Sequence, residues 1–140
     1  MNHSRNEHPS LSVGIVTVDD QAVFRRVARE VIEATPGFES LGEASCGEEA
    51  LRLVAEVDPD LVLVDVRMPG IDGPETARRL MAAHPKSVVV LVSTEDPAAI
   101  SSAADSCGAA ELIRKEEFAP ATLQRLWSSH GAAVRHPSSV

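Results

Sequence analysis

Unbroken aliphatic stretches alternate along this chain with stretches whose apolar positions recur every three to four residues. Residues 13–18 (VGIVTV), 61–65 (LVLVD) and 87–92 (SVVVLV) are of the first kind. A short apolar run bounded by turn residues predicts a strand buried on both faces, as in a parallel sheet. Residues 38–44 and 111–113 predict two weaker strands, the former at a sheet edge. The second kind begins at residues 21–34. There Val23, Val27 and Val31 recur every fourth position, with Phe24, Ala28 and Ile32 beside them and Arg25, Arg26, Arg29 and Glu33 opposite. This is an amphipathic helix, stopped by Pro36-Gly37. Further helices are predicted over 47–56 (Leu51, Val54 and Ala55 inward) and 73–84 (Ala77, Leu80 and Met81 inward). Two more follow over 97–107 (Ile100, Ala103, Ala104 and Cys107 inward, Gly108 as cap) and 119–130 (Leu123, Leu126 and Trp127 inward). Five strands alternating with five helices predict an α/β fold, a doubly wound parallel sheet covered on both faces. Residues 1–10 are polar and aperiodic and read as a tail. Residues 11–130 read as the domain, and 131–140 as a C-terminal tail or linker.

The polar residues that end these strands carry the candidate chemistry. Asp65 ends the central run, and a turn with Pro69, Gly70 and Gly73 follows at once. Ligands in open α/β sheets bind beyond the carboxyl ends of the strands. The same edge receives Asp19 and Asp20 from the first strand, Ser93 and Thr94 from the fourth, and Lys115 from the fifth. Each has a purely structural reading. Asp65 could cap the next turn, Asp19-Asp20 could N-cap the first helix, Ser93-Thr94 could be turn residues, and Lys115 could be a solvated surface lysine. Their coincidence at matching strand ends favours one shared pocket. Clustered carboxylates repel one another and need a counter-charge. A hard divalent cation supplies it: Mg2+, with Mn2+ as a substitute, takes octahedral oxygen ligands. Lys115 adds a compact charge for Asp65 or for an incoming phosphoryl oxygen, and Ser93 can donate a hydrogen bond to the same group. Phosphoryl transfer asks mainly for such positioning and charge neutralisation.

Composition narrows the classes. The 140 residues suit one domain, and 44% hydrophobic with 24% charged residues are globular values. A net charge of −8 argues against direct nucleic-acid binding, since phosphates would be repelled, and is compatible with a cation site. Cys46 and Cys107 have neither metal nor redox spacing and read as separate buried thiols in a reducing compartment. No apolar run approaches the roughly 20 residues of a membrane span, and the N-terminus has no signal-peptide core. A soluble, cytoplasmic protein without membrane contact is expected.

These residues resemble the receiver domain of bacterial two-component response regulators. The likeness runs from about Leu11 to His130. It rests on Val18-Asp19-Asp20, the run from Asp65 to Gly73 (DVRMPGIDG), Val92-Ser93-Thr94, Gly108-Ala109 and Lys115. The resemblance implies the flavodoxin-like strand order 2-1-3-4-5 and a phosphoryl group accepted on Asp65 from a sensor histidine kinase or phosphotransfer protein. It implies Mg2+ held by Asp20, Asp65 and the backbone carbonyl of Arg67, with Asp19 acting largely through water. Ser93 and Lys115 would bind the phosphoryl oxygens. The face made by the fourth helix, fifth strand and fifth helix would bind an effector or a second copy. Such a domain is a self-phosphorylating switch rather than an enzyme acting on a separate substrate.

Several positions depart from the family pattern. Glu116 follows Lys115 where proline is usual, and Leu112 stands at the switch aromatic, so coupling should run through aliphatic packing or helix shifts. Thr94 is larger than the common alanine, and Arg67 and Glu95 fall where dephosphorylation is tuned. After the last helix only about ten residues remain, too few for a DNA-binding domain. The chain reads as a stand-alone receiver or as the receiver part of a longer transcriptional regulator. A module that works unphosphorylated is the alternative function. A flavodoxin is disfavoured because Asp19-Asp20 would repel the flavin phosphate, and a dehalogenase-type phosphatase because Arg67 stands where its second acid belongs.

Overall fold

In the computed structural model, residues 12–96, 98 and 107–135 are described. Five parallel strands, β1 (Val13–Val18), β2 (Phe38–Ala44), β3 (Leu61–Asp65), β4 (Val88–Ser93) and β5 (Glu111–Arg114), form one sheet. Their order is β2-β1-β3-β4-β5, the order that the family resemblance implies. Four helices lie among the described residues: α1 (Ala22–Ala34), α2 (Gly47–Val57), α3 (Gly73–Ala83) and α4 (Pro120–Arg135). The helix expected over 97–107 lies outside the described residues except at its two described positions, where Cys107 is buried. Residues 1–10 likewise lie outside them.

Two apolar layers flank the sheet, because a strand's side chains alternate between its faces. Val62 and Val64 point toward α2 and α3, joining Val54, Ala77 and Leu80. Leu61 and Leu63 point the other way and meet Phe24, Ala28, Ile32, Leu123 and Leu126 of α1 and α4. All five residues of β3 are buried, and each aliphatic side chain contributes about 1.5–3 kcal/mol by leaving water. The cysteines form no disulfide, and Cys46 is half-buried.

Helix ends follow local chemistry. Asp72 caps α3 by accepting from the Glu75 amide at 2.9 Å, with Pro74 inside the first turn. Glu49 accepts from both the amide and the hydroxyl of Ser45 (2.7 and 2.9 Å), holding the start of α2. Asp58 closes α2 in the left-handed conformation (φ 50°).

Three expectations are corrected. The buried stripe of α1 is Phe24, Ala28 and Ile32, while Val23 (65%) and Val27 (42%) are exposed. Those valines sit about 100° around the helix from the stripe, and one face cannot bury both rows. In α2 the core is met by Gly47, Ala50 and Val54, whereas Ala55 is exposed. The last helix does not stop at residue 130. It continues through Gly131 to Arg135, since Ala132 and Ala133 favour helix and the first breaker is Pro137.

β2 carries a bulge. Ile15 pairs with Ser40 but Val16 pairs with Gly42, so Leu41 is the extra residue. A one-residue shift moves every later side chain to the opposite face. It turns Glu43 toward α1, where Arg29 reaches it at 3.1 Å.

Gly73 begins α3 directly under the end of β3. A Cβ there would fall inside contact distance of the Asp65 carbonyl oxygen and 2.7 Å from the Val66 Cα. The Gly73 amide donates to the Val66 carbonyl at 3.0 Å. Gly73→Ala should therefore lower stability in urea unfolding by about 1–3 kcal/mol, the usual cost of overpacking against backbone that cannot move aside. An unchanged midpoint would contradict this packing.

Candidate functional site

Because all five strands are parallel, their C-terminal ends share one edge. β1 lies between β2 and β3, so the chain leaves it toward one side of the sheet and later elements build on the other. A crevice opens at such a switch point. Register places the ends side by side: Val18 is level with Val64, Asp65 with Val92, and Ser93 with Arg114. Asp19 and Asp20 follow β1, Asp65 ends β3, Ser93 ends β4, and Lys115 opens a 3-10 turn (Lys115–Glu117) directly after β5.

The carboxylates of Asp19, Asp20 and Asp65 each offer an oxygen within 4.8 Å of the others. Asp19 is fully buried and Asp65 is 6% exposed, while Asp20 faces solvent. Lys115 Nζ stands 2.7 Å from Asp19 Oδ2 and 3.5 Å from Asp65 Oδ1. One ammonium thus faces two buried carboxylates, which leaves negative charge in excess. Burial, and then the Asp19 carboxylate, push the Asp65 carboxyl up to about 6, against the pull of Lys115 and the Arg67 backbone amide. Asp19 Oδ2 is buried without an aligned hydrogen bond, its neighbour being the Lys115 ammonium. An all-oxygen cluster with uncompensated charge and one solvent-facing member fits a hard cation such as Mg2+, which keeps several of its waters.

Lys115 is held from below by aromatic packing. Its Nζ lies 5.0 Å from the Phe24 ring centroid, and Phe24 meets Phe118 at 6.3 Å in a tilted pair. A ring face attracts a cation, most strongly where water is excluded. The turn at Lys115-Glu116 needs no proline, for the Phe118 amide donates to the Lys115 carbonyl at 3.1 Å. No cis peptide bond occurs among the described residues.

Arg67 and Glu95 form a bidentate ion pair between the loops that follow β3 and β4. Arg67 Nε reaches Glu95 Oε2 at 3.0 Å and Nη2 reaches Oε1 at 2.8 Å. Ser93 is buried and its Oγ accepts from the Glu95 amide at 2.9 Å, which fixes the turn that carries Glu95. Thr94 is exposed at this rim. Leu112 is half-buried and packs on the α2/α3 side of the sheet, among aliphatic neighbours.

The predicted acids and lysine are therefore brought together, with Ser93 on the adjoining strand end. Phe24 and Arg25 were absent from the predicted site. The helix period puts Arg25 opposite the apolar rows, yet its Nη1 donates to the Asp19 carbonyl at 2.7 Å. Its place one turn after the acidic pair was the available sequence signal.

A doubly wound parallel sheet with three acids and a lysine at its switch point defines a receiver-type α/β domain. Residues 15–126 match the family profile of the response regulator receiver domain. The chain belongs to that family. It is 41% identical over 87 residues to the response regulator GacA of Pseudomonas aeruginosa, covering 61% of this chain and 41% of that protein. It is 30% identical over 138 residues to the transcriptional regulatory protein DegU of Brevibacillus brevis, covering 98% and 57% respectively. The chain thus spans about two to three fifths of these relatives' length. Its fold superimposes on the signal receiver domain of a modulated diguanylate cyclase from Desulfovibrio desulfuricans G20. The TM-score is 0.80 at 26% identity, covering 91% of this chain and 99% of that one. Among the described residues no helix is long and apolar enough to cross a membrane.

The raised Asp65 carboxyl has a consequence for stability. A carboxyl near 6 when folded, against 3.8 otherwise, binds its proton more readily in the native state. Its ionisation therefore costs nothing below about pH 4, and the penalty is complete above about pH 6. In metal-free buffer Asp65→Asn should raise urea stability at about pH 7.5 by roughly 1–3 kcal/mol, and the gain should shrink between about pH 6 and 4. A gain independent of pH would contradict the electrostatic origin.

Proposed function

We propose that this receiver domain accepts a phosphoryl group on Asp65 from a phosphohistidine donor, in a reaction that requires Mg2+. The observation that carries the reading is Asp65 itself, a buried carboxylate at a strand end with two further acids and one ammonium around it. Asp19, Asp20, Asp65 and the backbone carbonyl of Arg67 would hold the cation, directly or through water. Bound there, Mg2+ or Mn2+ would offset the charge that gathers on the phosphoryl oxygens.

The chain's own groups supply the rest. An Asp65 carboxylate oxygen attacks phosphorus, forming an acyl phosphate, while the bond from phosphorus to the donor nitrogen breaks and its electron pair leaves with the donor's imidazole. Lys115 is shared between Asp19 and Asp65 and can turn toward a phosphoryl oxygen without leaving the site. The Ser93 hydroxyl sits on the adjoining strand end and can donate to the same group. The acyl phosphate would then bias a two-state equilibrium of the sheet and its flanking helices. With Leu112 at the aromatic position, that change would run through aliphatic packing toward the face of the fifth strand and the helices beside it. An effector or a second copy would read that face. One relative is named a transcriptional regulatory protein, which supports an output in gene control, with this domain acting in the cytoplasm as switch rather than as DNA reader.

With Mg2+ and acetyl phosphate the protein should gain one phosphoryl group by intact mass. Asp65→Asn or excess chelator should abolish the gain, and an unmodified wild-type protein would overturn the reading and leave the phosphorylation-independent module. The Arg67–Glu95 pair ties the loop that follows Asp65 to the loop that follows Ser93, so removing it should loosen both and admit water. Glu95→Ala is expected to shorten the lifetime of the phosphorylated form about three- to ten-fold, a change of roughly 1 kcal/mol in barrier. Decay of the isolated phosphoprotein measures it.

A further inference from the structure

The backbone of Asp19 is held from two sides, by the edge strand β2 at its amide and by α1 at its carbonyl. Its amide donates to the Ala44 carbonyl at 3.0 Å. Its carbonyl accepts from Arg25 Nη1 at 2.7 Å. The same guanidinium lies with Nε 3.6 Å from Glu43 Oε1, one residue before Ala44, and Arg29 meets the other Glu43 oxygen at 3.1 Å. The side chain of Asp19 is fixed as well, with Oδ1 accepting from the Gln21 amide at 2.8 Å and Oδ2 against Lys115.

We propose that Arg25 is a positioning residue for the cation site, setting the Asp19-Asp20 loop through the Asp19 carbonyl with Glu43 as its anchor. This rests on the metal reading of the acidic cluster. The physical case lies in what the loop must withstand. Three carboxylate oxygens within 4.8 Å repel one another, and Asp20 faces solvent on the turn that leaves β1, free to swing away from Asp65. Asp19 cannot follow it, because its amide, carbonyl and both carboxylate oxygens all have fixed neighbours. Arg25 supplies a charge-assisted hydrogen bond to the Asp19 carbonyl, in the peptide that joins Asp19 to Asp20. Its guanidinium is planar and forked, so it can hold the carbonyl and Glu43 together, as a lysine cannot. The arm exists only because the Leu41 bulge turns Glu43 to the α1 side. Preorganised ligands bind more tightly because less ordering is left to the binding step. Arg25 therefore acts on cation affinity rather than on phosphoryl chemistry.

The test uses the full chain, with MgCl2 titrated calorimetrically and through the rate of phosphorylation by acetyl phosphate. Arg25→Gln should raise the Mg2+ Kd and the half-maximal Mg2+ concentration roughly three- to ten-fold, the factor that partial loss of one such hydrogen bond carries. The rate at saturating Mg2+ should stay at the wild-type plateau. Arg25→Lys should fall short of wild type, Glu43→Gln should move Kd in the same direction, and Arg29→Gln should leave it within about two-fold, since rim charges carry little. A lowered plateau with an unmoved Mg2+ midpoint would mean that Arg25 only ties helix to strand, and would overturn the inference. So would an Arg25→Gln protein that binds Mg2+ as wild type does. If wild type and Asp20→Asn are equally silent to Mg2+, the metal reading itself fails, and the Arg25 role falls with it.

Discussion

Everything at the carboxyl edge of this sheet is arranged around one ammonium between two buried carboxylates. Lys115 meets Asp19 at 2.7 Å and Asp65 at 3.5 Å, while Asp20 waits in solvent beside them. Ion pairs out of water gain Coulomb energy but lose hydration, and the two nearly cancel. Removing one partner is another matter, because a buried charge left alone costs about 3–5 kcal/mol. Such an arrangement is poor as a source of stability and well suited to a site whose charge changes. Burial, and then the neighbouring Asp19 carboxylate, keep Asp65 reluctant to ionise, and the cluster is left short of positive charge, a deficit that a cation or an incoming electrophile would relieve.

The rest of the fold supports that edge. β3 is buried along its full length between β1 and β4, so Asp65 has no freedom to move along the strand. Gly73 brings α3 close beneath it, where a side chain would meet the backbone of Asp65 and Val66. Phe24 and Phe118 give Lys115 an aromatic floor. Arg67 and Glu95 link the loops after β3 and β4 by an ion pair exposed enough to open readily, since surface pairs contribute only about 0–1 kcal/mol.

Most of the architecture was legible in the residue order. The three aliphatic runs, the Pro and Gly stops and the apolar helix periods located every described strand and α-helix to within a few residues, except at the end of the last helix. Asp19, Asp20, Asp65, Ser93 and Lys115 could be assembled before any coordinates, because parallel strands deliver their last residues to one edge. The failures have a shared cause. Val23, Val27 and Ala55 are apolar residues adjoining a buried stripe, and periodicity does not say which of two neighbouring rows faces the core. The last helix outruns its expected end at residue 130, because a helix already docked through Leu123 and Leu126 tolerates one glycine, Gly131.

What the chain's order determined by itself was local: where periods change, where turns must fall, and which chemical groups stand at strand ends. Those follow from short-range sterics and from the distance between polar and apolar positions. Tertiary structure alone decided the relations that no spacing encodes. The bulge at Leu41 turned Glu43 to the α1 side, Arg25 left its expected solvent role to hold the Asp19 carbonyl, and Arg67 found Glu95 28 positions away. Long, flexible charged side chains choose partners by proximity after the backbone is placed, so their pairings appear only once strands that are distant in sequence lie side by side.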